Sequence, residues 1–389
     1  MEIICNQNEF NSAIQLVSKA VSSRPTHPIL ANILLTADQG TNKISLTGFD
    51  LSLGIQTSFD GTVTKSGDIT IPSKLLSEIV NKLPTEMPIS LEVDENSENI
   101  LIKSDRGSFT INGIPSNDYP QLPFVETGTS LNIDPNAFLQ ALKFTTFASS
   151  NDDSKQLLTG VNFTFKNKHF EAAATNGHRL AVALIDNEKN PNENANLTSD
   201  EENLSVTIPT RSLREIEKLI SLKNNDSSIK LFYDKGQIVF SSRNQIITST
   251  TLEGKYPNYP QLIPPEYKKV FTFDTKIFTD SLERIAILAG QEIGSGNMLV
   301  KIKINQNGQA LISADAKDIG SANESIPVVF DCESLDIAFN VRYLLEGLKV
   351  ISSQKVLLKC NDPITPAILV PEDNKDSFTY LVMPVQVGS

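Results

Sequence analysis

Thr175-Asn176-Gly177-His178-Arg179 puts a hydroxyl, an amide, an imidazole and a guanidinium within five residues. Such a histidine could act as a general base if a nucleophile and an orienting acid stood beside it. Thr175 and Asn176 supply neither, so no catalytic residue is assigned. The remaining histidines, His27 and His169, share no ligand-like spacing with His178. Cys5, Cys332 and Cys360 are too few and too scattered for a zinc site or a disulfide framework. The glycine-rich stretch 290–296 lacks the Lys-Ser/Thr pair of a phosphate-binding loop and reads as a plain loop. No metal and no cofactor are expected.

The chain around these groups has 389 residues, 39% apolar and 21% charged, enough for two to four domains with cores of their own. No run approaches the roughly 18 apolar residues of a membrane span. The start carries Glu2 where a signal peptide would have Lys or Arg. A cytoplasmic protein of a reducing compartment, with no membrane partner, is the expectation. The net charge of −12 argues against nucleic acid unless the cations are gathered on one surface.

The chain also repeats itself. Asn6, Asp134 and Asp274 each stand four residues before a phenylalanine, and Phe10, Phe138 and Phe278 each stand four before an aliphatic residue. Asn and Asp are good helix caps because the side-chain oxygen accepts an otherwise unpaired backbone N–H. Pro135 fits the first helical position, and Asn6 with Glu9 resembles a capping box. A second helix recurs as 71–83, 208–220 and 339–351, with Leu75, Leu76, Ile79, Val80 and Leu83 on one face of the first copy. Leu213, Ile216, Leu219 and Ile220 form that face in the second copy, and Leu344, Leu345, Leu348 and Ile351 in the third. Alternating strands follow each copy; in the middle one they are 229–233, 237–240 and 246–250 around an Asp234-Lys-Gly236 turn. The joints match as Asp118-Tyr-Pro-Gln-Leu-Pro123 and Asn258-Tyr-Pro-Gln-Leu-Ile-Pro264, where proline forces extended backbone. The expected fold class is α+β: three repeated domains, each with two helices and antiparallel sheets. Their expected limits are 1–125, 126–267 and 268–389. A polar insertion at 186–203 in the central domain reads as a surface loop.

Positive charge gathers on the helices. The six helical segments, taken as 10–21, 73–83, 137–149, 210–223, 276–289 and 340–353, hold twelve Lys and Arg against six acids, a balance of +6, while the rest of the chain carries −18. That segregation suits helices sharing a surface toward a polyanion, with weak, sequence-blind phosphate contacts. Surface helices are also often Lys-rich for solubility alone. Three readings are compatible with the residues: a DNA-encircling factor without catalysis, a protein–protein scaffold, or an enzyme with its site at a domain joint.

Four further stretches carry a family resemblance: Arg24-Pro-Thr-His-Pro-Ile-Leu30, Ala174-Thr-Asn-Gly-His-Arg-Leu-Ala181, Gly254-Lys-Tyr-Pro-Asn-Tyr-Pro260 and Val382-Met-Pro384. With the triple repeat, they resemble the bacterial sliding clamps, the beta subunits of DNA polymerase III, along the whole chain. The resemblance implies the DNA clamp fold, closed into a ring as a head-to-tail homodimer with helices inside and sheets outside. It implies a non-catalytic processivity factor of the bacterial cytoplasm and nucleoid that slides on double-stranded DNA. The implied partners are the DNA polymerase III alpha subunit, the clamp loader, and other clamp-binding polymerases and repair proteins.

Those partners would dock a peptide between the second and third domains. By motif, that pocket takes in Leu158, Thr175, Gly177, His178, Arg179, Leu180, Pro257, Pro366, Val382, Met383, Pro384 and Val385. Arg24 matches a family residue that contacts DNA, and Lys74, Lys143, Arg211, Arg214, Lys218 and Arg342 are expected to face DNA. The first-domain interface strand is expected near 104–111, with Phe109 and Ile111 as contacts. Its third-domain counterpart is expected near 295–304, with Ile287 and Leu288 close by. Three departures from the family stand out: Asn176 replaces an Asp, Gln386 a frequently basic residue, and Gln156-Leu157 an aromatic pair.

Overall fold

In the computed structural model the chain forms six α-helices: α1 (Gln7–Val17), α2 (Ser73–Val80), α3 (Pro135–Thr145), α4 (Thr210–Ser221), α5 (Thr275–Ala289) and α6 (Val341–Leu348). Their starts match the spacing of the sequence. Asn6 Oδ1 accepts the backbone N–H of Asn8 at 2.8 Å to open α1, and Asp274 Oδ1 accepts that of Ile277 at 2.9 Å to open α5. Asn340 caps α6 through the N–H of Arg342, and Pro135 is the first residue of α3. Phe10, Phe138 and Phe278 are each fully buried.

The second helix of each repeat buries Leu76 and Val80, then Leu213, Ile216 and Ile220, then Leu344 and Leu348. Leu75, expected on the same face, is 42% exposed. At 3.6 residues per turn, neighbours point about 100° apart, so Leu75 and Leu76 do not share a narrow face.

The structure describes every residue except 86, 95–97, 106, 124–128, 166–168, 187–203, 222–228, 243, 291–297, 317–318, 374–376 and 387–389. The polar insertion, apart from Asp186 at a strand end, and most of the glycine-rich stretch therefore lie outside the described residues.

Two compact units make up the structure, and the boundary between them cuts the middle repeat. The unit that holds Met1–Pro135 and Glu215–Thr251 contains two antiparallel sheets. One orders five strands as Thr62–Lys65, Glu2–Asn6, Pro88–Val93, Asn99–Ser104 and Gly107–Asn112. The other has eight strands and joins the first repeat to the second, because Gln245–Thr250 pairs with Leu53–Asp60 in the register Ile247↔Ile55. The middle-repeat hairpin turns at Lys235 (φ 43°) and Gly236 (φ 80°), the left-handed pair that a two-residue turn requires.

In the other unit, a nine-stranded sheet joins the second repeat to the third: Arg179–Asp186 pairs with Phe378–Val382 in the register Leu180↔Leu381. A four-stranded sheet runs Gly320–Pro327, Gln309–Ala316, Leu299–Asn305, Leu335–Asn340. Here α5 packs beside α6.

Sheet order corrects the third-domain edge. Leu299–Asn305, within the expected stretch, is an interior strand paired on both sides, so it has no free backbone groups to offer. The outer strand on the side beyond Gln309–Ala316 is Gly320–Pro327. In the first repeat Gly107–Asn112 is an edge strand as expected; Phe109 is 41% exposed, but Ile111 is buried in the core.

One close contact fixes α6 on the nine-stranded sheet. A Cβ on Gly347 would lie 2.2 Å from the Tyr380 ring, which is fully buried and whose hydroxyl donates to the Tyr343 carbonyl at 2.9 Å. Phe378 stacks on Phe144 with ring centroids 4.6 Å apart, so the ring row has little room to retreat. Gly347→Ala is therefore expected to destabilise the chain by about 1–3 kcal/mol despite alanine's better helix propensity. Denaturant unfolding with a midpoint at or above that of the wild type would contradict this.

Candidate partner-binding site

The Thr175–Arg179 turn is held by its own side chains. Asn176 Oδ1 accepts the N–H groups of His178 (2.9 Å) and Arg179 (3.2 Å). Thr175 Oγ1 donates to the Arg179 carbonyl at 2.6 Å and accepts from Gly177 N–H at 3.1 Å. Gly177 takes φ 92° there, a conformation that costs a side-chain-bearing residue about 1–2 kcal/mol. The first repeat builds the same turn: Asp50 Oδ1 accepts from Ser52 and Leu53 at 3.0 and 2.8 Å, and Leu51 sits at φ 77°. The amide oxygen of Asn176 thus does the structural work of the carboxylate, without its charge.

Beyond the turn, strand alternation sends successive side chains to opposite faces. Leu180 is buried in an apolar cluster with Ala173, Leu357, Ile368, Val370 and Leu381, capped by Tyr256 and Tyr259. Leu157, Leu158, Val182, Ile263 and Tyr267 pack against this cluster and remain partly open. Tyr256 accepts the Thr175 N–H at 3.1 Å, and burial pushes its phenol up to about 12. Tyr259 donates to Glu171; burial and that carboxylate both raise its pKa.

Arg179 takes the other face. It is 5% exposed, pairs with Glu346 and donates to the Phe147 carbonyl. His178 is exposed and stacks on Tyr343 at 6.5 Å between centroids. A polar cavity of about 380 Å³ lies beside this part of the turn, lined by Ser149, Asp152, Lys155, Asn176, His178 and Tyr343 among others.

The structure brings Leu158, Leu180 and Thr175 together around the tyrosines. Val382 is buried, paired with Arg179 on one side and Ala367 on the other. Met383 is 39% exposed and donates its N–H to the His178 carbonyl at 2.9 Å; Val385 does the same to Ala338 at 2.8 Å. Pro384, Val385 and Pro366 are half-buried, and Pro257 is exposed in the joint. Sequence reasoning missed Tyr256, Tyr259 and Leu381. The available signal was two tyrosines three apart in a proline-rich joint, aromatic bulk where a plain linker needs none.

Of the basic residues, Arg24 is exposed in the loop before Pro28–Ala31, and Lys74, Lys143, Arg211 and Arg214 are exposed on α2, α3 and α4. Two expected DNA-facing cations have acidic neighbours. Lys218 pairs with Glu215 at 2.9 Å and Arg342 with Glu346 at 2.7 Å. Among the described residues, no cluster of His, Cys, Asp and Glu could hold a metal ion, and no helix is long and apolar enough to cross a membrane.

Three family models match in order. The N-terminal, central and C-terminal domains of the DNA polymerase III beta subunit cover residues 1–123, 132–258 and 260–386. The chain belongs to this family. Among its relatives, the beta sliding clamp of Synechococcus elongatus is 43% identical over the whole of both chains. The sliding clamp of Bacillus subtilis superposes with a TM-score of 0.90 at 27% identity, again over the full length of both. A sliding clamp from Pseudomonas aeruginosa solved with griselimycin bound gives 0.89 at 26% identity over the same span. The three-domain clamp fold and a place in DNA replication as a polymerase processivity factor come with membership.

Proposed function

We propose that two copies of the chain join head to tail into a closed ring that encircles double-stranded DNA and slides on it. The ring tethers the DNA polymerase III alpha subunit, the clamp loader and other clamp-binding polymerases and repair proteins, and catalyses nothing itself. It works in the bacterial cytoplasm on the nucleoid, with three domains limited at 1–125, 126–267 and 268–389. The observation that carries this reading is a pair of unlike sheet edges on one chain, Gly107–Asn112 and Gly320–Pro327. Unlike patches make a heterologous contact, which yields a ring when its rotation closes. Pairing the two strands would also hide edges that otherwise invite aggregation.

A ring retains DNA by topology, so its phosphate contacts need only be weak and screened. Exposed Arg24, Lys74, Lys143, Arg211 and Arg214, on a chain acidic elsewhere, suit that requirement. Partner peptides dock on the apolar cluster around Leu158 and Leu180, with Met383 as an adaptable wall. We propose the same cluster as the seat, in this chain, for griselimycin, the ligand bound to the Pseudomonas aeruginosa clamp.

Arg24→Glu with Arg211→Glu should impair loading onto nicked circular DNA about tenfold or more without moving the thermal midpoint. Gel filtration of labelled clamp with the plasmid reads the loading, and normal loading by the double variant would overturn the charge argument.

A further inference from the structure

Arg179 belongs to the motif that marks the partner pocket, yet its side chain is committed inside the protein. Its Nη1 pairs with Glu346 and its Nη2 donates to the Phe147 carbonyl. The guanidinium lies 4.6 Å from the Tyr343 ring centroid and 5.5 Å from that of Phe147. Glu346 is steadied in turn by Arg342 Nε at 2.7 Å. A planar, forked cation is the one side chain able to fill all these contacts at once.

The backbone of the same residue closes the turn. Its N–H donates to Asn176, its carbonyl accepts from Thr175, and its neighbour His178 accepts the N–H of Met383. Leu180, one residue on, points to the opposite face into the apolar cluster. Fixing the guanidinium against α6 therefore fixes the turn, the terminal strand and the position of Leu180 together.

We infer that Arg179 is a positioning residue: its buried pair with Glu346 holds the turn and tail that border the partner pocket, and so sets the affinity for a ligand it does not touch. This rests on the proposal that the Leu158–Leu180 cluster is that pocket.

The test is a double-mutant cycle of Arg179→Met and Glu346→Gln, with griselimycin titrated calorimetrically into the full-length protein. Each single variant should weaken binding at least tenfold, and the double variant should be no weaker than the worse single one. Arg179→Lys, which keeps the charge but loses the fork and the stacking, should recover only part of the loss. A Glu346→Gln protein that binds like the wild type, or losses that multiply in the double variant, would show that Arg179 does not act through Glu346 and would overturn the inference. If the wild type fails to bind griselimycin, the pocket reading fails, and amide hydrogen exchange then decides about Arg179. The Met383 amide should exchange at least tenfold faster in the Glu346→Gln protein, whose single-atom change leaves folding least disturbed. An unchanged rate would also overturn the inference.

Discussion

A chain lacking residues 383–389 is expected to lose griselimycin and polymerase-peptide binding while remaining a dimer. Met383 is 39% exposed and is bonded through its N–H to the His178 carbonyl, two residues before the cluster's Leu180, so in the proposed pocket it offers adaptable apolar surface to a ligand. Removing it also breaks the N–H bond to the His178 carbonyl, and loss of Val385 breaks the one to Ala338. Net backbone bonds contribute about 0.5–1.5 kcal/mol each, too little to unfold a chain of this size. They do hold the tail against the turn, so affinity should fall at least a hundredfold, about 3 kcal/mol. Gly107–Asn112 and Gly320–Pro327 keep their strands, so sedimentation should still give about twice 42.7 kDa. Unchanged affinity by calorimetry would remove the tail from the pocket; a monomeric truncation would show that pocket and interface are not separate.

Phe109→Asp should have the opposite profile, a monomer with an intact pocket. The ring is 41% exposed on an edge strand, an apolar group only partly covered in the single chain. In a paired edge it would be buried, and an aspartate there would have to lose water with no cation in exchange. Such burial costs several kcal/mol, and a symmetric ring pays it at both contacts, so dissociation should strengthen about 10³-fold or more. Ile287→Asp, at a residue 67% exposed near the end of α5, is the matching change on the other face. Both variants should keep wild-type affinity for griselimycin. A dimer surviving either substitution at micromolar concentration would remove that residue from the interface.

The features that proved legible in the sequence are those fixed by neighbours along the chain. A cap depends on one side chain and the next three N–H groups, so Asn6 and Asp274 announced their helices. Buried Phe10, Phe138 and Phe278 come from the same local register. Sheet order does not: Leu299–Asn305 alternates as either an edge or an interior strand of such a sheet would, and it is interior because position in a sheet depends on which distant strands arrive. Nor does the facing of Arg179 emerge from its motif. Its neighbours His178 and Leu180 are an exposed ring and a core leucine, and only the arrival of Glu346 and Phe147 from elsewhere explains a buried arginine between them. The tyrosines of the second joint were visible as residues, but their role needed Thr175 and Glu171 brought within bonding distance.

The most direct measurement is topological. Protein loaded on nicked circular plasmid is isolated with the DNA, the plasmid is cut once, and the DNA-bound fraction is followed at constant salt. Linear molecules should release the protein within the time that uncut circles retain it, because only free ends let a closed ring escape. Equal retention on circle and line would mean that contact, rather than enclosure, holds the DNA, and would contradict the account.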